Sequence, residues 1–447
     1  MSILKSKFQQ AKEKQDSINE RVANENTQMN SVDSNAINKI ASAVSEKHKD
    51  IISKDGFSED VKKQIIDTIE DEVKSATDDY EEQLRLAKIA TSSIVGLGPI
   101  DAYMKDDTVT EIIVQQYNNI CIERNGLIES INASFNDENH LRTVINRIVQ
   151  PVGRQINIST PIVDARLSDG SRINSTIPPA SPDGATLTIR KFPDELLTED
   201  DYLKFGTLSI EMAAFLRKSV EAKVNLIVSG GTTAGKTTVL NVLSQYIPED
   251  ELIITIEDSC ELRFKHKNLR RLEAKQFNTD NSMTIDVQAL VKNALRMRPD
   301  RIIVGEIRDG TVVDMMSAMS TGHEGSMSTV HANSPEALIN SRFPILYSMY
   351  KGADFSELAQ TLQISEALDL IVQISKMRDG SRKITHITHV VGVENGKIKL
   401  RDIFVYNELT GEFEATGYIP KYIIDKCKRR GISISESLFK KKRAKDV

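Results

Sequence analysis

The chain has 447 residues, and its formal charge is −6 because 64 Asp and Glu outweigh 58 Lys and Arg. That balance argues against a basic protein that coats nucleic acid, and the 3 cysteines lie too far apart for a disulfide scaffold or a four-cysteine zinc site. Because no stretch approaches the roughly 18 apolar residues that cross a bilayer, and the charged N-terminus does not resemble a secretory signal, we expect a cytoplasmic protein that reaches membranes only through partners.

Residues 1–94 form the first region, which contains a single Gly and no Pro. Its apolar residues recur at helical spacing, most clearly in Val61, Ile65, Ile69 and Val73. The part before about Asn30 has too few apolar residues to build a core, and we expect it to stay disordered until it binds something. We interpret the region as mobile helices; a solvated extension without chemistry is the plainer alternative.

Residues 95–193 begin with a Gly-rich turn and change to short strands, which indicates a smaller α+β domain. The predicted elements are strands at 111–114, 119–123 and 185–192, a helix around 140–149, and two strands joined by a turn at Asp169-Gly170. Residues 194–208 are then expected to be a hinge or linker.

From residue 209 to about 420 the sequence repeats an order of apolar strand, Gly-rich turn and helix, which predicts an α/β domain with a parallel sheet. Four apolar segments are predicted as buried parallel strands, at 224–229, 252–256, 301–305 and 327–330. The last segment, 421–447, holds ten Lys and Arg against three acids, and we expect a solvated basic tail.

A phosphate-binding loop of the pattern GxxxxGK[ST] follows the first of these strands. It consists of Gly230, Gly231, Thr232, Thr233, Ala234, Gly235, Lys236 and Thr237, with Thr238 next in the following helix. Glycines let backbone N–H groups turn toward phosphate oxygens, and the helix offers its positive N-terminal end. We expect Lys236 to contact the β- and γ-phosphates and the Thr237 hydroxyl to bind Mg²⁺.

Acidic and histidine residues lie at the ends of the neighbouring strands. Glu257, Asp258 and Glu261 follow the strand at 252–256. Glu306 follows the strand at 301–305, and His331 ends the next one. Ligands of open α/β sheets bind at the carboxyl ends of the strands, so we expect these groups to converge on the phosphates.

Two of these positions also have plainer interpretations. In proteins with such a phosphate loop, the usual second motif ends its strand with Asp. Gly305 holds that place here, so Glu306 alone could be an ordinary strand-end acid. His331, and His323 in the turn before the same strand, could be structural hydrogen-bonding residues.

Taken together, these segments resemble the secretion ATPases of the type II and type IV secretion superfamily. IEDSCEL (256–262) is similar to their aspartate box, GEIRDG (305–310) to their atypical Walker B motif, and TGHEGSMSTVHAN (321–333) to their histidine box. The stretches VDARLSDGSRIN, TIRKF and NALRMRPDRIIVGEIR look most like the CpaF-type branch of tight-adherence pilus ATPases. The resemblance covers about residues 95–420, without the four-cysteine zinc insertion of some branches.

The resemblance implies a RecA-like P-loop ATPase domain, preceded by the smaller α+β domain and the N-terminal helical region. It implies that Glu261 activates the attacking water, with Glu257 and Asp258 supporting it or the metal. Glu306 would orient Mg²⁺ and water, and His331 would sense the γ-phosphate.

The resemblance further implies that arginines close over the nucleotide, within the subunit or from a neighbour. The candidates are Arg166, Arg172, Arg190 and Arg271. It also implies a homohexamer that hydrolyses ATP with Mg²⁺ at the cytoplasmic side of the cell membrane. Such a ring would act on an inner-membrane platform protein to assemble a pilus or secrete protein, with no direct contact to nucleic acid.

Two alternatives to this pilus or secretion motor stay open. One is a conjugative or type IV secretion ATPase that moves DNA or effectors. The other is a nucleotide-gated scaffold that binds ATP without useful turnover. A motor that tracks DNA is disfavoured by the acidic net charge and by an aromatic content of only 5%.

Overall fold

The computed structural model of the protein describes residues 59–124, 126–167, 169–192, 196–275, 285–351 and 353–441, together with positions 36, 39–41, 43–44 and 46–48. The predicted disorder before Asn30 and the last residues of the predicted tail, 442–447, lie outside this part of the chain. The chain divides into two compact units, residues 1–193 and 194–447. None of the helices in the described residues is both long and apolar enough to span a bilayer.

Two helices, α1 (Glu59–Ala76) and α2 (Tyr80–Ile94), begin the continuously described part of the first unit. The apolar residues of α1 recur every four positions and are buried against α2, which confirms the helical spacing of the sequence. Asp79 caps α2, since its carboxylate accepts a hydrogen bond from the backbone N–H of Glu81 at 2.9 Å.

The rest of the first unit is an α+β fold. Its elements are α3 Asp101–Lys105, β1 Val109–Gln116, β2 Asn119–Arg124, β3 Leu127–Ile131, α4 Glu138–Val149, β4 Ile162–Arg166, β5 Arg172–Thr176 and β6 Thr186–Arg190. The six described strands form an antiparallel sheet in the order β3-β2-β1-β6-β5-β4. Helix α4 buries Leu141, Val144, Ile145 and Ile148 in the same core as the sheet, because these residues share one helical face.

The second unit is built on a larger mixed sheet. Its strands are β7 Leu226–Gly230, β8 Ile253–Glu257, β9 Leu269–Glu273, β10 Arg301–Ile307, β11 Met327–His331, β12 Leu370–Lys376, β13 Arg382–Glu394, β14 Lys397–Asn407 and β15 Glu412–Ala415. Their order is β15-β14-β13-β12-β7-β11-β10-β8-β9. The strands from β12 to β9 in this order run parallel, and β13 to β15 extend the sheet antiparallel.

Helices cover the parallel part of the sheet. The helices of the second unit are α5 Glu199–Lys204, α6 Ile210–Glu221, α7 Lys236–Ser244, α8 Val287–Ala294, α9 Thr311–Ser320, α10 Pro335–Ala337, α11 Phe343–Ser348, α12 Glu357–Ala367 and α13 Lys421–Arg429, with a π-helical segment at Leu338–Arg342. Within β7, Leu226 and Val228 pack into one apolar core and Ile227 into another. Burial of both faces explains why the parallel strands are continuous apolar runs in the sequence, and it confirms the predicted α/β class.

Two predicted boundaries need correction. Residues 196–208, predicted as a hinge, include helix α5 and bury Tyr202 and Leu208 in the core of the second unit. Residues 421–441, predicted as a solvated tail, include α13 and bury Ile423 and Phe439 in the same core. The Lys and Arg content suggested a solvated tail, but most of the apolar residues among them pack into this core, whereas Tyr422 stays exposed.

A buried ion pair also fixes the C-terminal helix. The ammonium group of Lys426 in α13 donates to the Asp369 carboxylate at 2.9 Å, and both side chains are less than a tenth exposed. Asp369 also accepts the backbone N–H of Asn225, just before β7, at 2.8 Å. Helix α13 is therefore an integral part of the second unit.

Candidate active site

The predicted phosphate loop lies between β7 and α7. A side chain at Gly230 would collide with the carbonyl oxygen of Ile374 in β12, so only glycine fits the last position of β7. Thr233 and Gly235 have φ angles of +57° and +97°, which reverse the chain tightly before the helix. Lys236, Thr237 and Thr238 form the first turn of α7, at the positive end of its dipole.

Lys236 contacts both this loop and a neighbouring strand. Its ammonium nitrogen donates to the carbonyl oxygen of Gly231 at 3.0 Å and lies 3.8 Å from a carboxylate oxygen of Glu306 in β10. The side chain is 11% exposed. A phosphate oxygen can replace either contact, so the geometry suits a cation that holds phosphate.

Glu306 is part of a chain of alternating charges. The guanidinium Nε of Arg308 donates to Glu306 at 2.6 Å, and another nitrogen of Arg308 lies 3.6 Å from the carboxylate of Asp258. Partial burial lowers the pKa of Arg308, but the carboxylates of Glu306, Asp258 and Glu261 together outweigh this effect, so the pKa is raised overall. Arg308 was not among the predicted site residues, although its two-residue spacing from Glu306 at a strand end places both side chains on one face.

Glu257 is nearly inaccessible, at 3% exposure. One carboxylate oxygen accepts the backbone N–H groups of Glu261 and Leu262, both at 2.8 Å, and the other has no hydrogen-bond partner among the described residues. Burial raises the pKa of Glu257 to about 7. Glu257 therefore shapes the turn that carries Asp258 and Glu261.

The position of Glu257 also explains the glycine in the second motif. A Cβ atom at Gly305 would lie 2.8 Å from Cγ of Glu257, closer than packed carbon atoms approach. The aspartate that usually ends this strand cannot fit beside the buried Glu257. The acid of this motif is accordingly the next residue, Glu306.

We predict that Glu257→Gln removes a pH dependence of stability. The pKa of Glu257 is about 7 in the folded chain against 4.5 ordinarily, so between these values only the unfolded chain releases the proton. The wild-type free energy of unfolding should therefore fall by on the order of 3 kcal/mol from pH 4.5 to pH 7 and level off above it. Urea unfolding at pH 5 and pH 8 measures the change.

In Glu257→Gln this fall should be absent, so the variant gains stability relative to wild type as the pH rises. Glu366→Gln, which changes an exposed carboxylate, is the matched control and should keep the wild-type profile. Identical profiles for Glu257→Gln and wild type would contradict the raised pKa.

The remaining predicted acid and histidine also face this cluster. The charge of Glu261 acts on both Glu257 and Arg308. His331 lies opposite Gly230 in the sheet register, and its pKa is lowered by partial burial and by the nearby charge of Lys236. The carboxyl ends of β7, β11, β10 and β8 thus bring the predicted groups together.

Arg271 and His323 have other surroundings. Arg271 is an exposed residue of β9, opposite Thr255, and its charge reaches Glu257. His323 precedes β11, and its Nδ1 lies 3.0 Å from the carbonyl oxygen of Pro299, which precedes β10. His323 is therefore a structural residue at the amino ends of the strands, away from the phosphate loop.

The three predicted arginines of the first unit form a row in its sheet. Arg166 in β4 pairs with Arg172 in β5, which pairs with Arg190 in β6. Arg190 in turn lies opposite Glu111 in β1. Cross-strand partners lie on the same face of a sheet, so the three arginines and Glu111 are side by side on one face.

Oxygen ligands suitable for Mg²⁺ are present beside the loop. Thr237 offers a hydroxyl group in the first turn of α7, and Glu306 offers a carboxylate that is 25% exposed next to Lys236. Mg²⁺ that enters with phosphates needs only one or two protein ligands. The donor set therefore fits Mg²⁺ bound together with a nucleotide.

Comparison with known proteins covers the same residues. Residues 94–396 match the family model described as type II/IV secretion system protein. An uncharacterized protein of Methanocaldococcus jannaschii is 41% identical over 252 residues, which are 54% of this chain and 34% of that protein, so the chain spans about a third of that relative. A putative conjugal transfer protein of Mycobacterium tuberculosis is 30% identical over 312 residues, covering 68% of this chain and 88% of that protein.

Among solved structures, the VirB11 ATPase from the Brucella suis type IV secretion system, in complex with sulphate, is 27% identical. The match covers 65% of this chain and 91% of that one, with a TM-score of 0.35. The stretch 94–396 contains the phosphate loop, the three acidic and histidine segments and the arginine row.

Proposed function

The chain belongs to the family of type II/IV secretion system proteins, and from that premise we propose that it is an Mg²⁺-dependent ATPase that works as a hexameric motor. One observation carries the proposal: Lys236 of the phosphate loop and Glu306 of a neighbouring strand lie 3.8 Å apart. A cation for phosphate and an acid for metal and water at one strand edge are what phosphoryl transfer to water requires.

In this proposal the backbone N–H groups of the loop and Lys236 bind the phosphates. Thr237 and Glu306 would hold Mg²⁺, which neutralises charge on the phosphates when it is bound. Glu261 takes the proton of the attacking water, from a turn whose backbone is fixed by Glu257. His331 contacts the γ-phosphate, opposite the start of the loop.

Arginines of the first unit complete the site in this proposal. Hydrolysis develops negative charge on the transferred phosphate, and an added cation lowers the barrier most when it is aimed at that charge. A site completed by a neighbouring subunit would couple hydrolysis to movement around a ring. That coupling is the reason to propose a homohexamer.

We predict that Arg190→Gln lowers ATP turnover at least about tenfold without lowering the melting temperature. The side chain is exposed and lies between Arg172 and Glu111, so its replacement removes one repulsive and one attractive cross-strand pair and should leave stability nearly unchanged. Phosphate release and thermal unfolding measure the two effects. Arg154→Gln, which removes an exposed arginine of the same unit outside the row, should leave turnover unchanged. Wild-type turnover in Arg190→Gln would remove this arginine from the proposed site.

The work done by the motor is proposed to be pilus assembly or protein secretion, by pushing on a platform protein of the inner membrane from the cytoplasmic side. Conjugative transfer is the second candidate, favoured by the name of the Mycobacterium tuberculosis relative. Neighbouring genes distinguish the two: genes for pilins and a platform protein support the first, and genes for a coupling protein and a relaxase support the second.

The proposed activity is tested with the purified chain, by phosphate release with and without Mg²⁺ and by light scattering with a non-hydrolysable ATP analogue. We expect release only with Mg²⁺ and a mass six times that of one chain. Tight binding of the analogue without hydrolysis, even with the platform protein present, would instead identify a nucleotide-gated scaffold. Absence of nucleotide binding would reject the proposal altogether.

A further inference from the structure

Strands β12 and β13 form a hairpin that contacts the phosphate loop. Strand β12 ends at Lys376, and β13 begins with Arg382 directly opposite. The Nε–H of Arg382 donates to the carbonyl oxygen of Thr233 at 3.4 Å. Its Cδ atom lies 3.3 Å from the point where a Cβ atom of Gly235 would stand. The side chain of Arg382 therefore lies against both Thr233 and Gly235 of the loop.

The loop needs such support because its backbone is strained. Thr233 has a φ angle of +57°, in the left-handed region that costs a residue with a side chain roughly 1 kcal/mol or more. A contact that holds the Thr233 carbonyl in place stabilises this conformation. The strained residue, Thr233, is one of the residues predicted to contact phosphate.

The direction of the bond matters for phosphate binding. In a trans peptide the C=O of Thr233 and the N–H of Ala234 point to opposite sides. The Ala234 N–H points toward the carbonyl oxygen of Gly231, 3.4 Å away, to which Lys236 also donates. When Arg382 holds the carbonyl on one side, it aims the N–H to the side where Lys236 lies.

The arginine is itself placed on a fixed support. The ammonium group of the next residue, Lys383, donates a hydrogen bond to the carbonyl oxygen of Gly206, and the backbone N–H of Ile384 donates to the carbonyl oxygen of Thr207 at 2.8 Å. The charge of Arg382 also acts on the buried Tyr202 of α5. The start of strand β13 is thus tied to the segment that follows α5, which fixes the position of Arg382.

We propose that Arg382 is a positioning residue for the nucleotide. Its hydrogen bond to the Thr233 carbonyl oxygen acts as a brace that holds the phosphate loop in its phosphate-binding conformation. This inference rests on the proposed nucleotide site, which it deepens. Since the brace acts on the loop and not on the γ-phosphate, it supports ADP and ATP equally.

The test is a binding titration of wild type, Arg382→Ala and Arg382→Lys with fluorescent ADP and with a non-hydrolysable ATP analogue, together with melting temperatures. We expect Arg382→Ala to bind both nucleotides about tenfold more weakly, the effect of about one net hydrogen bond, with the ratio of the two Kd values unchanged. Arg382→Lys should recover part of the loss. Arg378→Ala removes an exposed arginine from the turn of the same hairpin and should bind as wild type does.

Wild-type affinity in a folded Arg382→Ala variant would overturn the inference. A loss confined to the ATP analogue would also overturn it, because Arg382 would then act on the γ-phosphate. A Lys variant as weak as the Ala variant, with both melting below wild type, would indicate a purely structural role and contradict the brace. If wild type itself binds neither nucleotide, the proposed function fails, and that result is separate from all of these.

Discussion

Replacing Lys236 by Ala is expected to abolish ATP hydrolysis and to weaken ATP binding about a hundredfold. The side chain of Lys236 is 11% exposed, and its ammonium group lies between the Gly231 carbonyl and Glu306. Two charge-assisted hydrogen bonds to phosphate, at about 1.5 kcal/mol each, correspond to that loss of affinity. Without the cation, the Glu306 carboxylate also faces the phosphates with one positive charge fewer to offset it. Titration calorimetry with a non-hydrolysable ATP analogue and a phosphate-release assay measure both effects.

Lys265→Ala is the matched control, because it removes an exposed lysine that follows the turn carrying Glu261. It should bind and hydrolyse ATP as wild type does. Turnover close to wild type in Lys236→Ala would show that phosphate is held elsewhere, and the proposed site would then have to be abandoned.

The carboxyl-end cluster could be predicted from sequence because each part of it is local. A parallel strand appears as an apolar run, and the residue that follows it lies at the same edge as those after the other parallel strands. The proximity of residues as far apart in sequence as Lys236 and Glu306 can therefore be predicted without any knowledge of tertiary contacts. The α/β class and the four central strands were confirmed for the same reason.

Other features depend on contacts that no local pattern encodes. The raised pKa of Glu257 follows from its burial beside Gly305, and a glycine at position 305 does not by itself predict that burial. Arg382 meets Thr233 across 149 positions of sequence. Strand β9 is polar at three of its five positions because it is an exposed sheet edge, so it lacks the apolar run that marked its neighbours.

Replacing Glu261 by Gln should separate binding from hydrolysis. A general base contributes about 100-fold to 10,000-fold to the rate, so we expect turnover to fall by about 1,000-fold while the Kd for a non-hydrolysable ATP analogue changes less than about threefold. The turn should stay in place, because Glu257 holds the backbone N–H of residue 261 and not its side chain. Single-turnover phosphate release and the same titration give both values.

Glu336→Gln provides the control for this experiment, since it removes an exposed carboxylate five residues beyond His331 and should keep full turnover. Comparison with Glu306→Gln then assigns the roles of the two acids. If Glu306 orients Mg²⁺, its variant should require more Mg²⁺ for half-maximal rate, whereas the Glu261 variant should stay slow at every Mg²⁺ concentration. Full turnover in Glu261→Gln, with a loss only in Glu306→Gln, would transfer the role of base to Glu306. The acid that follows Gly305 would then serve both the metal and the water.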